Sequence, residues 1–93
     1  MIRSFADEST EDVYNGICPK GLPAKILSAA RRKLAMIDAA TRLDDLKAPP
    51  GNRLHPLTGD RKGQHAIRVN DQYRVCFKWR DGDAHDVEIT DYH

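Results

Sequence analysis

Ile67-Arg68-Val69-Asn70-Asp71-Gln72-Tyr73-Arg74-Val75-Cys76-Phe77-Lys78-Trp79 is the stretch that decides the fold. On both sides of Asn70-Asp71-Gln72 the large apolar residues take odd numbers, the period of two expected of a strand with one buried face. Two antiparallel strands that send odd positions into one core must pair residues whose numbers sum to an even value. A two-residue turn at Asn70-Asp71 breaks that rule, whereas a three-residue loop over 70–72 keeps it. Val69 then pairs with Tyr73, and Ile67 with Val75. On the opposite face the same register sets Arg68 directly across from Arg74. Like charges opposed across two strands are destabilising, so this pair predicts an anion held between them.

Downstream, the turn Arg80-Asp81-Gly82-Asp83 leads to a last strand over 84–92, with Val87 and Ile89 facing the core. The same parity sets Arg74 beside Thr90 and Gln72 beside Tyr92, and it faces Lys78 with Asp86 as an ordinary cross-strand ion pair. Upstream, residues 64–69 alternate and 53–57 form a short extended piece. Before Pro49-Pro50-Gly51 the period is helical: Ile26, Ala30, Leu34 and Ile37 recur at spacings of four, four and three, one apolar stripe. Pro23 suits the first helical position, and Leu43 and Leu46 extend the pattern by one turn before the prolines end it. Arg31, Arg32 and Lys33 lie off the stripe and are expected to form a solvated helix face. Nearer the start, Ser9-Thr-Glu-Asp12 fits a capping box for a helix that Gly16 stops, and residues 1–5 fit a short first strand. Helices first and antiparallel strands after give an α+β fold, with N-terminal helices packed on a small twisted sheet.

The chain has 93 residues, 40% of them hydrophobic and 31% charged. That length suits a single domain over residues 1–93, and that composition suits a globular one. The net charge of +1 conceals segregation. Between positions 52 and 80, Arg53, Arg61, Lys62, Arg68, Arg74, Lys78 and Arg80 are opposed only by Asp60 and Asp71, whereas Asp81, Asp83, Asp86, Glu88 and Asp91 follow with no Lys or Arg. A local positive field of that kind suits a polyanion. Cys18 and Cys76 have no metal-ligand spacing and read as reduced thiols. No signal peptide and no apolar run long enough for a membrane is present, so a cytoplasmic location without membrane contact is expected.

The open sheet face gathers Arg68, Arg74 and Tyr92, with His93 beside them and His55 in the preceding extended piece. Cutting RNA without a metal requires a group to take the 2′-hydroxyl proton, a group to protonate the leaving 5′-oxygen, and cations for the phosphorane. His titrates near pH ~6.5 and fits either proton role. Arg supplies fixed charge and paired donors, and Tyr can donate a hydrogen bond or stack on a base. No carboxylate or His/Cys cluster has convincing metal spacing, so neither a metal nor a cofactor is expected. His65 and His85 lie on or near the apolar parity and read as structural, as do Tyr73 and Trp79.

These residues resemble the HigB-type toxins of bacterial toxin–antitoxin pairs, in the RelE/ParE superfamily, over nearly the whole chain. The marks are Met1-Ile-Arg-Ser-Phe5, Leu54-His-Pro-Leu-Thr-Gly-Asp-Arg61, Ile67-Arg-Val-Asn-Asp-Gln-Tyr-Arg74 and Asp91-Tyr-His93. The resemblance implies a RelE-like fold and ribosome-dependent cleavage of mRNA without a cofactor. It implies a helix-turn-helix antitoxin of HigA type, through which alone the operator DNA would be contacted. On matching positions it implies catalytic or substrate-contacting roles for His55, Arg74, Asp91, Tyr92 and His93, and an RNA-binding role for Arg68. Arg53, Arg61, Lys62 and Lys78 are further RNA-binding candidates from the basic stretch. Where some members carry a Lys after His-Pro-Leu, this chain has Thr58, and Arg61 or Lys62 are the cations nearest in sequence to replace it. Two alternatives are a ParE-like gyrase poison on the same fold, which needs no terminal His, and a non-catalytic RNA-binding module, which binds but does not cut.

Overall fold

The computed structural model describes residues 1–91. Helix α1 spans Glu8–Tyr14, and the Asp7 carboxylate caps it by accepting the Thr10 N–H at 2.8 Å. The cap is thus Asp7 and not Ser9, and the earlier start places Glu8 and Glu11 in the first turn, where the helix dipole favours acids. Gly16 follows at φ +88°, a conformation that ends the helix without a Cβ penalty.

Helix α2 spans Leu27–Ala39 and is entered through a 3-10 turn, Ala24–Ile26, with Pro23 as the extended residue ahead of it. Ile26, Ala30, Leu34 and Ile37 are all buried, so the stripe read from the sequence is the face that meets the sheet. Each large side chain among them contributes about 1.5–3 kcal/mol by leaving water. Arg31 and Arg32 are exposed, but Lys33 is not: its side chain turns inward and donates to Asn52. The solvated-face expectation therefore fails for Lys33, because a long flexible stem can reach a polar partner beneath the helix edge. Leu43–Lys47 forms the extra turn, with Leu46 buried. Helical geometry then continues past the prolines, in the 3-10 turns Pro50–Asn52 and Gly59–Arg61. Proline is compatible with a first turn because the N–H it lacks has no intrahelical partner there.

The sheet has four strands in the order β1 (His55–Pro56), β2 (His65–Arg68), β3 (Tyr73–Arg80) and β4 (Asp83–Asp91), every neighbouring pair antiparallel. With α1 and α2 on its inner face this is the α+β arrangement expected. Ile67, Val69, Tyr73, Val75, Phe77, Val87 and Ile89 join the helix stripe in one core. The outer edge of β4 is covered: Ile2 and Phe5 form parallel bridges to Ala84 and Val87, and the Thr10 hydroxyl accepts the Ile89 N–H at 2.9 Å. Those contacts occupy backbone groups that would otherwise invite another strand.

Both hairpins obey the parity argument by different means. The loop over 70–72 has three residues, with the Asn70 side chain accepting the N–H groups of Gln72 and Tyr73 at 2.8 and 2.7 Å. The second turn has two, Asp81-Gly82, both at positive φ (53° and 81°), the geometry that favours Asp-Gly in tight hairpins. A two-residue turn alone would send Val87 and Ile89 outward. Asp86, at φ 51°, is the extra residue that corrects it, and the register shifts between Cys76 and Lys78. Ala84 therefore faces the core on one side of the bulge and Val87 on the other. Lys78 pairs with His85 in the ladder and not with Asp86, yet its ammonium still meets the Asp86 carboxylate at 3.2 Å.

Candidate active site

The sheet face turned away from the helices is organised in rows. Arg68, Arg74 and Thr90 lie side by side across three strands, and His55, Ala66, Cys76 and Glu88 lie side by side across four. The Arg68–Arg74 opposition follows from the three-residue loop and is present as expected. Arg74 Nε donates to the Thr90 hydroxyl at 3.4 Å. Arg68 is ion-paired with Asp71, whose side chain is 99% exposed at the tip of the 70–72 loop.

His55 owes its place to the residue after it. A residue before proline is pushed into extended backbone, and here it forms the edge strand β1, where Pro56 needs no ladder N–H. Just upstream, Arg53 sits in the left-handed region at φ 49°, a conformation that costs a non-glycine residue about 1 kcal/mol. That turn brings the Arg53 carbonyl back onto the His55 ring, 2.7 Å from Nδ1. A carbonyl can only accept, so Nδ1 carries the proton, and in the neutral ring Nε2 is left as the acceptor. Arg53, His55, Arg68 and Asp71 together line a cleft of about 380 Å³. Among the described residues it holds two guanidiniums, one carboxylate and one imidazole, a set able to hold a phosphodiester and accept a proton beside it.

The remaining candidates divide clearly. Arg61 is held by Glu88 at 3.1 Å and Gln64 at 3.2 Å, and the hydrogen bond to Glu88 raises its pKa. Leu57, Ala66 and Cys76 form a small second cluster in the same part of the sheet face. Lys78 is engaged by Asp86, and Lys62 is exposed in the loop that follows Thr58. Of the cations named from sequence, Arg53 and Arg68 are thus in the cleft, Arg74 is in its row, and Arg61 and Lys78 are matched to acids. Asp91 ends β4 opposite Tyr73 and accepts from Gln72 Nε2 at 3.0 Å. Tyr92 and His93, also named from sequence, lie outside the described residues.

Two features of the site were missed in the sequence. Asp71 had a local signal, three residues after Arg68 in a hairpin loop. The buried pair of Lys33 and Asn52 behind the cleft had none. Burial lowers the Lys33 pKa, and the nearby positive charges of Arg32 and Arg68 lower it further. His65 is half-buried over Phe77, with its pKa lowered first by burial and then by the charge on His55. Among the described residues no group of three or more His, Cys, Asp or Glu could hold a metal ion, and no helix is long and apolar enough to cross a membrane.

A family profile described as the RelE-like toxin of the type II toxin–antitoxin system HigB matches residues 3–93. The chain is 51% identical over 85 residues to Toxin HigB-1 of Vibrio cholerae, covering 90% of each chain. It is 33% identical over 93 residues to Endoribonuclease HigB of Proteus vulgaris, covering the full length of both.

Proposed function

The chain belongs to the HigB-like family of RelE-like toxins of type II toxin–antitoxin systems, and from that premise we propose that it is an endoribonuclease that cuts mRNA on the ribosome by a metal-free route. The observation that carries the reading is the cleft itself: an imidazole whose acceptor nitrogen is set by the Arg53 carbonyl, lined also by Arg68 and next to the Arg74 row.

In this scheme Arg68, Arg74 and Arg53 hold the scissile phosphate, and Asp71 releases Arg68 as the phosphate takes its place. His55 Nε2 takes the proton of the ribose 2′-hydroxyl, whose oxygen attacks phosphorus. The bond to the 5′-oxygen breaks, and a proton reaches that oxygen from the C-terminal group of Asp91, Tyr92 and His93. The products are a 2′,3′-cyclic phosphate and a 5′-hydroxyl. The toxin family implies an antitoxin partner, and we take it to be a HigA-type helix-turn-helix protein, with action in the cytoplasm. The Endoribonuclease HigB name of the full-length relative supports cutting over gyrase poisoning or RNA binding alone.

Primer extension on a programmed ribosome tests this with wild type, Arg74→Ala and a His93 deletion. Cuts in the decoding-site codon that require ribosomes and are lost in both variants support the scheme. A 5′-phosphate product, or growth arrest without cuts, overturns it.

A further inference from the structure

Lys33 is a charged side chain that nothing in the scheme above uses. It is 8% exposed, on the sheet side of α2, and its ammonium donates to the side-chain oxygen of Asn52, a neutral acceptor. Asn52 is itself fully buried, and its amide donates to the carbonyls of Leu46 and Ala48 at 3.2 and 3.3 Å. Burying an ammonium against a neutral amide is an expensive way to fill space, and an apolar side chain of similar length would fill it with no charge to desolvate. Asn52 directly precedes the left-handed Arg53, whose N–H closes the turn on Pro50 and whose carbonyl holds His55 Nδ1. A continuous series of contacts therefore runs from helix α2 to the His55 imidazole in the cleft.

We propose that Lys33 is a positioning residue for the reaction: by holding Asn52 it fixes the turn at Arg53, and through the Arg53 carbonyl it sets the tautomer and aim of His55. This rests on the reading of the cleft as a ribonuclease site.

The test is nitrogen NMR of the His55 ring in wild type and in Lys33→Met, with Lys33→Gln as a second variant whose amide stops an atom short of Asn52. The Nδ1–H tautomer is expected to dominate in wild type and to give way to a mixture in whichever variant folds. Ring signals identical to wild type in a folded variant overturn the proposal. This readout does not require cleavage, so it stands even if the ribonuclease reading falls. On ribosomes that wild type cuts, the variant should cut roughly 10–100-fold more slowly at saturating substrate, with KM changed less than about twofold. An unchanged rate beside a shifted tautomer would also overturn it, because the contact would then serve only the fold.

Discussion

The opposition of Arg68 and Arg74 predicts an unfavourable pair term that an anionic ligand relieves, and a double-mutant cycle measures it. The variants are Arg68→Met, Arg74→Met and both together, each replacing a guanidinium by an unbranched apolar chain. Directly opposed like charges on a sheet cost roughly 0.2–1 kcal/mol. Two unit charges about 4 Å apart in bulk water repel by about 1 kcal/mol, and less at greater separation, which agrees. Single substitutions mix this with other losses: Arg68→Met also removes the Asp71 ion pair, worth about 0–1 kcal/mol with a carboxylate so exposed. The cycle separates them, because only the pair term survives subtraction. The expected coupling is unfavourable by about 0.3–1 kcal/mol in low salt, or ~2–6 °C in Tm for a chain of this size. It should fade near 1 M salt, where screening acts within about 3 Å. With a single-stranded RNA ligand each Arg→Met change should weaken binding and reduce the salt slope by ~0.7. A favourable coupling without ligand would refute the reasoning, since the two arginines would then stabilise each other.

Three further outcomes follow from the same geometry. His55→Asn keeps a donor for the Arg53 carbonyl but removes Nε2, so single-turnover cleavage should drop about 10²–10⁴-fold while Tm stays within about 3 °C, and near-wild-type cutting would remove His55 from the mechanism. Asp71→Asn frees Arg68 and should tighten RNA binding up to about fivefold in low salt, the equivalent of ~1 kcal/mol; filter binding showing weaker affinity would assign Asp71 a role in holding RNA. Thermal stability followed against pH should fall in two stages on acidification. The folded-state pKa of His65 is depressed by burial, so its contribution is complete above the unfolded value near 6.5 and is lost as pH drops through the folded one. Hydrogen bonds hold Asp45 (to the Arg42 and Thr41 backbone) and Asp83 (to Arg3) below the usual carboxylate range, so their contribution is lost only at more acid pH. His65→Phe should abolish the upper stage, and its persistence would mean another group titrates there.

How much of this was written in the chain depends on how local each signal is. The stripe Ile26, Ala30, Leu34, Ile37 and the odd-numbered strand residues could be read because burial on one face imposes a period that neighbours share. The Arg68–Arg74 pair followed from that period and a loop length. Lys33 could not be read: its partner Asn52 is 19 positions away in sequence, and a lysine beside two arginines looks solvated until a buried amide is known to lie beneath it. The parity had already given Lys78 its acid, Asp86, whereas Glu88, which the sheet brings to Arg61 from 27 positions away, had no local signal. The cap at Asp7 was missed for a smaller reason, since Ser9 and Asp7 are both competent cap residues.

The bulge at Asp86 has a consequence for how this family can drift. The hairpin obeys something close to a selection rule: turn residues plus inserted residues must come to an odd total, or Val87 and Ile89 exchange places with Glu88 and Thr90. Lengthening the Asp81-Gly82 turn by one is therefore forbidden alone and permitted once the bulge is deleted, and the reverse holds as well. Insertions and deletions here should appear only in compensated pairs on either side of Ala84, a signature visible to anyone who counts residues. Relatives with a three-residue turn should have a straight β4, and those with a two-residue turn should keep a residue that tolerates positive φ at the position of Asp86.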